Sequence, residues 1–142
     1  MRIARSISRD LMLVLAFAAV AVCACSCNKA VTVTDHPLEV THSTLSKLQE
    51  LRAKPKFADL PGVNTSSERA RLEAVLNELL DRVSSGVSTH PRKKWVLDQF
   101  RSSLERVMLE DTEARERFGI YLEQVMDILN IQSSDGLLSA YL

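Results

Sequence analysis

Cysteine is absent from most of this chain. Of 142 residues only Cys23, Cys25 and Cys27 are cysteines, and none follows. The body beyond residue 27 therefore has no disulfide, no thiol nucleophile and no thiolate metal site, and must stand on its own apolar core. Charge of one sign is absent as well. The formal net charge is zero, which leaves no basic footprint for nucleic acid. Glycine is scarce, with four residues, and no glycine-rich phosphate loop is present. A Gly-x-Ser-x-Gly elbow, a His-Glu-x-x-His pair, a βαβ pattern and an internal repeat are also missing, so no catalytic constellation stands out. The longest apolar run, Leu11 to Val22, spans 12 residues. A helix needs about 20 to cross a bilayer.

What is present begins with that run. Arg2, Arg5 and Arg9 precede it, and small residues and cysteines follow it. A basic start, a run of this length and a small-residue cleavage region make an export signal. A retained transmembrane helix fits less well because the run is too short, and a buried core helix fits worse still because no polar second face is marked. Val22-Cys23-Ala24-Cys25 resembles the lipobox of bacterial lipoproteins, with Cys25 as the acylated first mature residue. Ala24-Cys25-Ser26-Cys27 offers Cys27 as the alternative, and ordinary cleavage after Ala24 would give plain secretion. Two or three acyl chains, at ~0.8 kcal/mol per buried CH2, would hold a small domain on a membrane. A Cys-x-Cys-x-Cys metal site is the weakest reading beside an apolar run. The expected organisation is a lipoprotein-type signal peptide over 1–24, a tether over 25–42 and a helical domain over 43–142. Removing the signal takes away three arginines and Asp10 and leaves a net charge of about −2.

The segment from Asn28 to His42 is short, polar and interrupted by Pro37. Val31-Thr-Val-Thr34 alternates like a strand, but a lone strand of four residues has no evident partner. The segment reads as extended linker. Helical periodicity starts at about Ser43, where Leu45, Leu48 and Leu51 make one stripe that Ser43 or Thr44 can cap and Pro55 ends. Phe57, Leu60 and Val63 would pin the loop after it. Thr65-Ser-Ser-Glu68 has capping-box spacing, and Leu72, Val75, Leu76, Leu79, Leu80 and Val83 then form a wide core-facing stripe. Glu78 and Arg82 make an i,i+4 pair, and Gly86 is available as a left-handed cap. A third helix over about 91–110 turns Val96, Phe100, Leu104, Val107 and Met108 inward, with Leu97 at the edge. Asp111 caps a fourth over about 112–130, with Phe118, Leu122, Val125 and Leu129 inward and Tyr121 flanking. One long bent helix is the alternative to that split. Ser134 caps a short last element, Leu137 to Leu142. The fold class is all-α: a compact bundle of four main helices plus a short C-terminal helix.

Several of these segments together resemble a known family. Leu60-Pro-Gly-Val63, Lys93-Lys-Trp-Val-Leu-Asp-Gln-Phe100, Asp111-Thr-Glu-Ala-Arg-Glu-Arg117, Tyr121-Leu-Glu-Gln-Val-Met-Asp-Ile-Leu129 and Ser133-Ser-Asp-Gly-Leu-Leu138 are similar to small bacterial proteins grouped as domain of unknown function 4844. The resemblance covers about Leu45 to Leu142 and implies a helical domain, in some members behind a lipoprotein signal. Asn130 stands where such proteins are expected to carry glycine at a helix end. Asparagine also tolerates the left-handed conformation. The family implies no activity, so no functional residue carries over.

Candidate sites come from the residues alone. His36, His42 and His90 have no metal-ligand spacing, and neither metal nor cofactor is expected. Arg92, Lys93 and Lys94 open a helix whose dipole favours anions there, so acidic neighbours, anionic headgroups or an acidic partner must offset them. Trp95 beside them reads as a core-edge anchor or a binding residue. Ser133, Ser134 and Asp135, with Gly136, form the most site-like loop, although a cap and a turn also account for them. Gly119, inside the fourth helix, points to a close helix–helix approach. Two functional classes follow. In the first, the domain is a tethered binding module in the cell envelope, held by membrane lipid through Cys25 and engaging a protein partner, with an immunity-like or inhibitory role as one concrete form. In the second, Glu123, Asp127 and Asp135 line a pocket between helices that binds a small ligand or does hydrolytic chemistry. A carboxylate raised in pKa within a deep polar pocket would favour the second. A third reading is a purely structural envelope lipoprotein.

Overall fold

The computed structural model describes residues 32–58 and 65–142. The signal segment with Cys25 and Cys27 lies outside the described residues, as do Leu60 and Val63. Five helices run in the order α1 (His42–Ala53), α2 (Ser66–Gly86), α3 (Lys93–Val107), α4 (Thr112–Ile128) and α5 (Leu137–Tyr141). Among the described residues there is no strand, only one isolated antiparallel bridge between Pro37 and Arg92. The fold is the expected all-α bundle. No helix among the described residues is long and apolar enough to cross a membrane.

Each helix forms where its local chemistry favours it. Thr41 caps α1, accepting the Thr44 N–H while the Thr44 hydroxyl accepts the Thr41 N–H. The cap thus lies two residues before Ser43, and Thr44 serves as the other half of the pair. Thr65 caps α2 by accepting the Glu68 N–H at 3.1 Å, and Asp111 caps α4 by accepting the Ala114 N–H at 2.8 Å. Asn130 takes φ 55, so it ends α4 in the left-handed form that glycine would supply. The α2 stripe is the centre of the core, with Leu72, Leu76, Leu79, Leu80 and Val83 fully buried against Val96, Phe100 and Leu104 of α3 and Phe118 and Leu122 of α4. Burying side chains of this size contributes about 1.5–3 kcal/mol each.

Four local expectations need correction. Met108 is 53% exposed because α3 ends at Val107 and the chain turns away there, while Leu97 lies fully inside rather than at an edge. Glu78 and Arg82 do not pair along α2. Glu78 bonds Arg106, and Arg82 donates to the buried Ser103 hydroxyl, so both reach across to α3. Gly86 is not left-handed; the only positive-φ glycine among the described residues is Gly136. The segment read as linker packs on the domain. The segment is extended, but Leu38 is buried in the core and Val33 and Val40 pack against it.

Two glycines are held by close approach. A Cβ on Gly86 would strike the Trp95 ring, and one on Gly119 would strike a methyl of Leu142. For Gly119 the neighbour is thus the C-terminal segment, not a crossing helix. The two should respond differently to alanine. The flexible Leu142 side chain can move, and alanine gains up to ~1 kcal/mol inside a helix, so Gly119→Ala should be neutral or mildly stabilising. The Trp95 ring is rigid, so Gly86→Ala should destabilise by about 1–2 kcal/mol and shift the tryptophan emission. Denaturant titration of both variants checks this, and equal effects would refute it.

Candidate functional site

The N-terminal segment positions the site. Leu38 N–H donates to Pro91 O at 2.8 Å and Lys93 N–H donates to His36 O at 3.0 Å, which lays residues 36–38 against the approach to α3. Arg92, the N-cap of α3, makes no capping bond with its side chain. Asp35 supplies that cap instead. Its Oδ1 accepts the Lys94 N–H at 3.0 Å and its Oδ2 accepts from Arg92 Nε at 2.6 Å. Residues 33–38 therefore act as a strap that closes the first turn of α3.

This resolves the three cations that open a helix. Arg92 pairs with Asp35, Lys94 pairs with Asp98 at 3.0 Å, and Lys93 pairs with Asp135 at 2.8 Å. The offset comes from acidic neighbours on the fold itself. The Lys93 pair is the buried one, with side-chain exposures of 5% and 17%, and it joins the two candidate segments, 92–95 and 133–135, into one corner. Asp135 Oδ2 also accepts the Thr34 N–H at 2.6 Å, so strap, α3 and the 133–136 loop meet on one carboxylate. Ser133 supports that loop by accepting the Asp135 N–H, and Ser134 accepts the Leu138 N–H at the start of α5.

Both carboxylates that hold the strap, Asp35 and Asp135, are kept below the usual range. For Asp35 the main cause is the Lys94 N–H, followed by the Arg92 guanidinium. For Asp135 it is the Lys93 ammonium, followed by the Thr34 N–H. A carboxylate depressed in the folded state adds stability that is full above its unfolded value and lost as pH falls through the folded value. Acidification below about pH 4 should therefore free the strap. Protection of the Leu38 and Lys93 amides, corrected for intrinsic exchange, should fall at higher pH than that of Leu76 and Leu80. Parallel loss of all four would show that the strap has no separate transition.

Beside the strap lies an open groove of about 320 Å³. Trp95 forms its floor, half-buried and stacked on exposed His90 with ring centroids 5.3 Å apart. Pro91 and Thr89 wall it, and Asp35, Arg92, Lys94 and Asp98 rim it with charges of both signs. A second open groove of about 290 Å³ runs between α1 and α4 over Leu51 and Ile128, with Lys47, Lys54, Glu50 and Asp127 on its edges. The structure does not bring the three proposed pocket carboxylates together. Glu123 and Asp127 are exposed on α4, while Asp135 is tied to Lys93. The other shifted carboxylates, Glu50 and Glu78, are lowered by Lys54 and Arg106. Among the described residues no three His, Cys, Asp or Glu side chains are grouped so as to hold a metal ion.

Sequence reasoning missed Asp35, Asp98 and the strap. Asp98 was legible as the i,i+4 partner of Lys94; for Asp35 the signal was indirect, since cations at a helix start demand acids from elsewhere in the chain.

A protein-family model described as "Domain of unknown function (DUF4844)" matches residues 39–142. No curated protein and no solved structure matches the chain.

Proposed function

We propose a binding role without chemistry of its own for this chain, which belongs to the DUF4844 family: an exported lipoprotein, acylated at Cys25 or alternatively Cys27, that engages a protein partner in the cell envelope. The observation that carries the binding role is the groove over Trp95. An aromatic anchor in an open cleft, ringed by polar and charged groups, has the anatomy of a protein-interaction hot spot. The rim charges are already paired within the fold, so docking leaves no lone ion to desolvate. The two grooves are open clefts, and among the described residues the shifted carboxylates are all lowered. Acid–base chemistry calls for the opposite direction. The membrane part of the reading rests on the arginine-led signal and the cysteine that ends it. An immunity-like or inhibitory role against an envelope protein is one concrete form.

The test has two arms. Cys25→Ser should move the protein from the membrane to the soluble fraction; if only Cys27→Ser does so, Cys27 is the acceptor, and if neither does, acylation is refuted. Crosslinking in living cells should give a dominant protein adduct that Thr89→Arg, which fills the groove without touching a buried residue, reduces at least about tenfold, or ~1.4 kcal/mol. An adduct indifferent to Thr89→Arg would remove the groove from the proposal.

A further inference from the structure

The strap sets the point from which the chain leaves the domain. Thr34 is its first bonded residue, held on Asp135, and Asp35, the next, is already part of the groove rim. If Cys25 carries the acyl chains, nine peptide steps separate the anchor from Thr34. Whatever their conformation, those steps reach no more than about 30 Å, and a flexible chain of that length averages about 17 Å. The groove therefore opens beside the point where the chain runs to the membrane. The other end of α3, where Leu109 is 99% exposed, lies about 22 Å further along the 15-residue helix.

We infer that the groove over Trp95 is a membrane-proximal docking site for the juxtamembrane segment of an integral membrane protein. The inference rests on the anchoring and binding readings above and adds the partner's class and place. The short link keeps the groove within about 30 Å of the anchor, the zone that the extramembrane flanks of membrane-spanning proteins occupy. The rim decides between protein and lipid. Two carboxylates, Asp35 and Asp98, stand beside Arg92 and Lys94, each pair mutually neutralised. That rim offers phosphate headgroups no net attraction. It complements a peptide that places one apolar or aromatic side chain on Trp95 and His90, flanked by charges of both signs. Aromatic side chains are enriched at such membrane borders.

The experiment uses the full chain in cells, with a photoreactive residue at Thr89 or, separately, at Leu109. The expected result is a Thr89 adduct whose partner, identified by mass spectrometry, is a protein that in its uncrosslinked form resists alkaline washing and moves only with detergent, and no such adduct from Leu109. Inserting about twenty Gly and Ser residues between Asn28 and Lys29 should lower the Thr89 adduct about fivefold, because effective concentration falls roughly as the −3/2 power of linker length. Adducts to phospholipid, adducts to a soluble protein, equal adducts from Leu109, or a yield that ignores the insertion would each overturn this inference and leave the binding reading standing. If the unaltered chain is not in the membrane fraction, the anchoring reading fails and this inference fails with it.

Discussion

Phe118→Ala should lower the unfolding free energy by about 4 kcal/mol, the middle of the range for an aromatic core truncation. Phe118 is fully buried on α4, and Phe57 lies parallel to it with ring centroids 6.5 Å apart. One turn on, Tyr121 meets Phe57 edge-on at 4.8 Å, and its hydroxyl accepts the Phe57 N–H at 2.9 Å. Phe57 has φ 60, a region that bulky side chains avoid and that persists only where surrounding contacts over-determine it, at a strain of about 1–3 kcal/mol. Truncating Phe118 removes one of those contacts as well as its own buried area. Tyr121→Phe is the matched control. It keeps the ring and orphans one amide, so it should cost about 1–2 kcal/mol. Chemical denaturation of both variants separates the two effects. A loss below about 2 kcal/mol for Phe118→Ala would mean that Phe57 relaxes into the space and that its backbone is not held by this stack.

Asp135→Ala should cost about 2 kcal/mol. Removing one partner of a fully buried ion pair costs about 3–5 kcal/mol because the other charge is left uncompensated. The figure is lowered here because Asp135 keeps 17% of its side chain in water. The Lys93 ammonium, 5% exposed, would lose the carboxylate it is bonded to, and the Thr34 N–H would lose its acceptor. Residue 135 also has φ 53, which Asp and Asn tolerate better than Ala. Asp135→Asn separates charge from conformation. The double variant Lys93→Met/Asp135→Asn should recover most of the loss, since an apolar replacement for a buried ion is often neutral. If Asp135→Ala and Asp135→Asn are both silent, the pair does not contribute to holding the corner together.

The parts of this fold that could be read in the sequence are those whose cause is local. The α2 stripe from Leu72 to Val83 repeats with the helical period, and Thr65 and Asp111 sit three residues before the amides they cap. The substitution of Asn130 for glycine could likewise be judged at its own position. The parts that could not be read depend on distant residues. Asp35 lies 59 residues from the amide that it caps, and no periodicity within residues 28–42 reports that contact. Thr34, the last residue of the strand-like alternation, bonds the Asp135 carboxylate 101 positions away, which carries no strand signature of its own. Lys56 is similar. It is 1% exposed, and its ammonium donates to Arg52 O and Lys54 O at 2.7 Å, closing the end of α1. Burial pushes its pKa down, yet a lysine beside Pro55 gives no sign in sequence of lying inside. For the candidate site, residues 92–95 and 133–135 were each identifiable, but their meeting through Lys93 and Asp135 was not.

The cap at Asp35 bears on where this domain can be cut. The family match begins at residue 39, four positions after the carboxylate that closes α3 and one after the buried Leu38. A fragment trimmed to that boundary would keep every helix and lose the closure of one of them, leaving Lys94 N–H and Lys93 N–H without the oxygens they now bond. The smallest piece that folds as the whole does should start at about Val33, and structural or binding work on a shorter one would measure a frayed α3 and a groove with part of its rim missing.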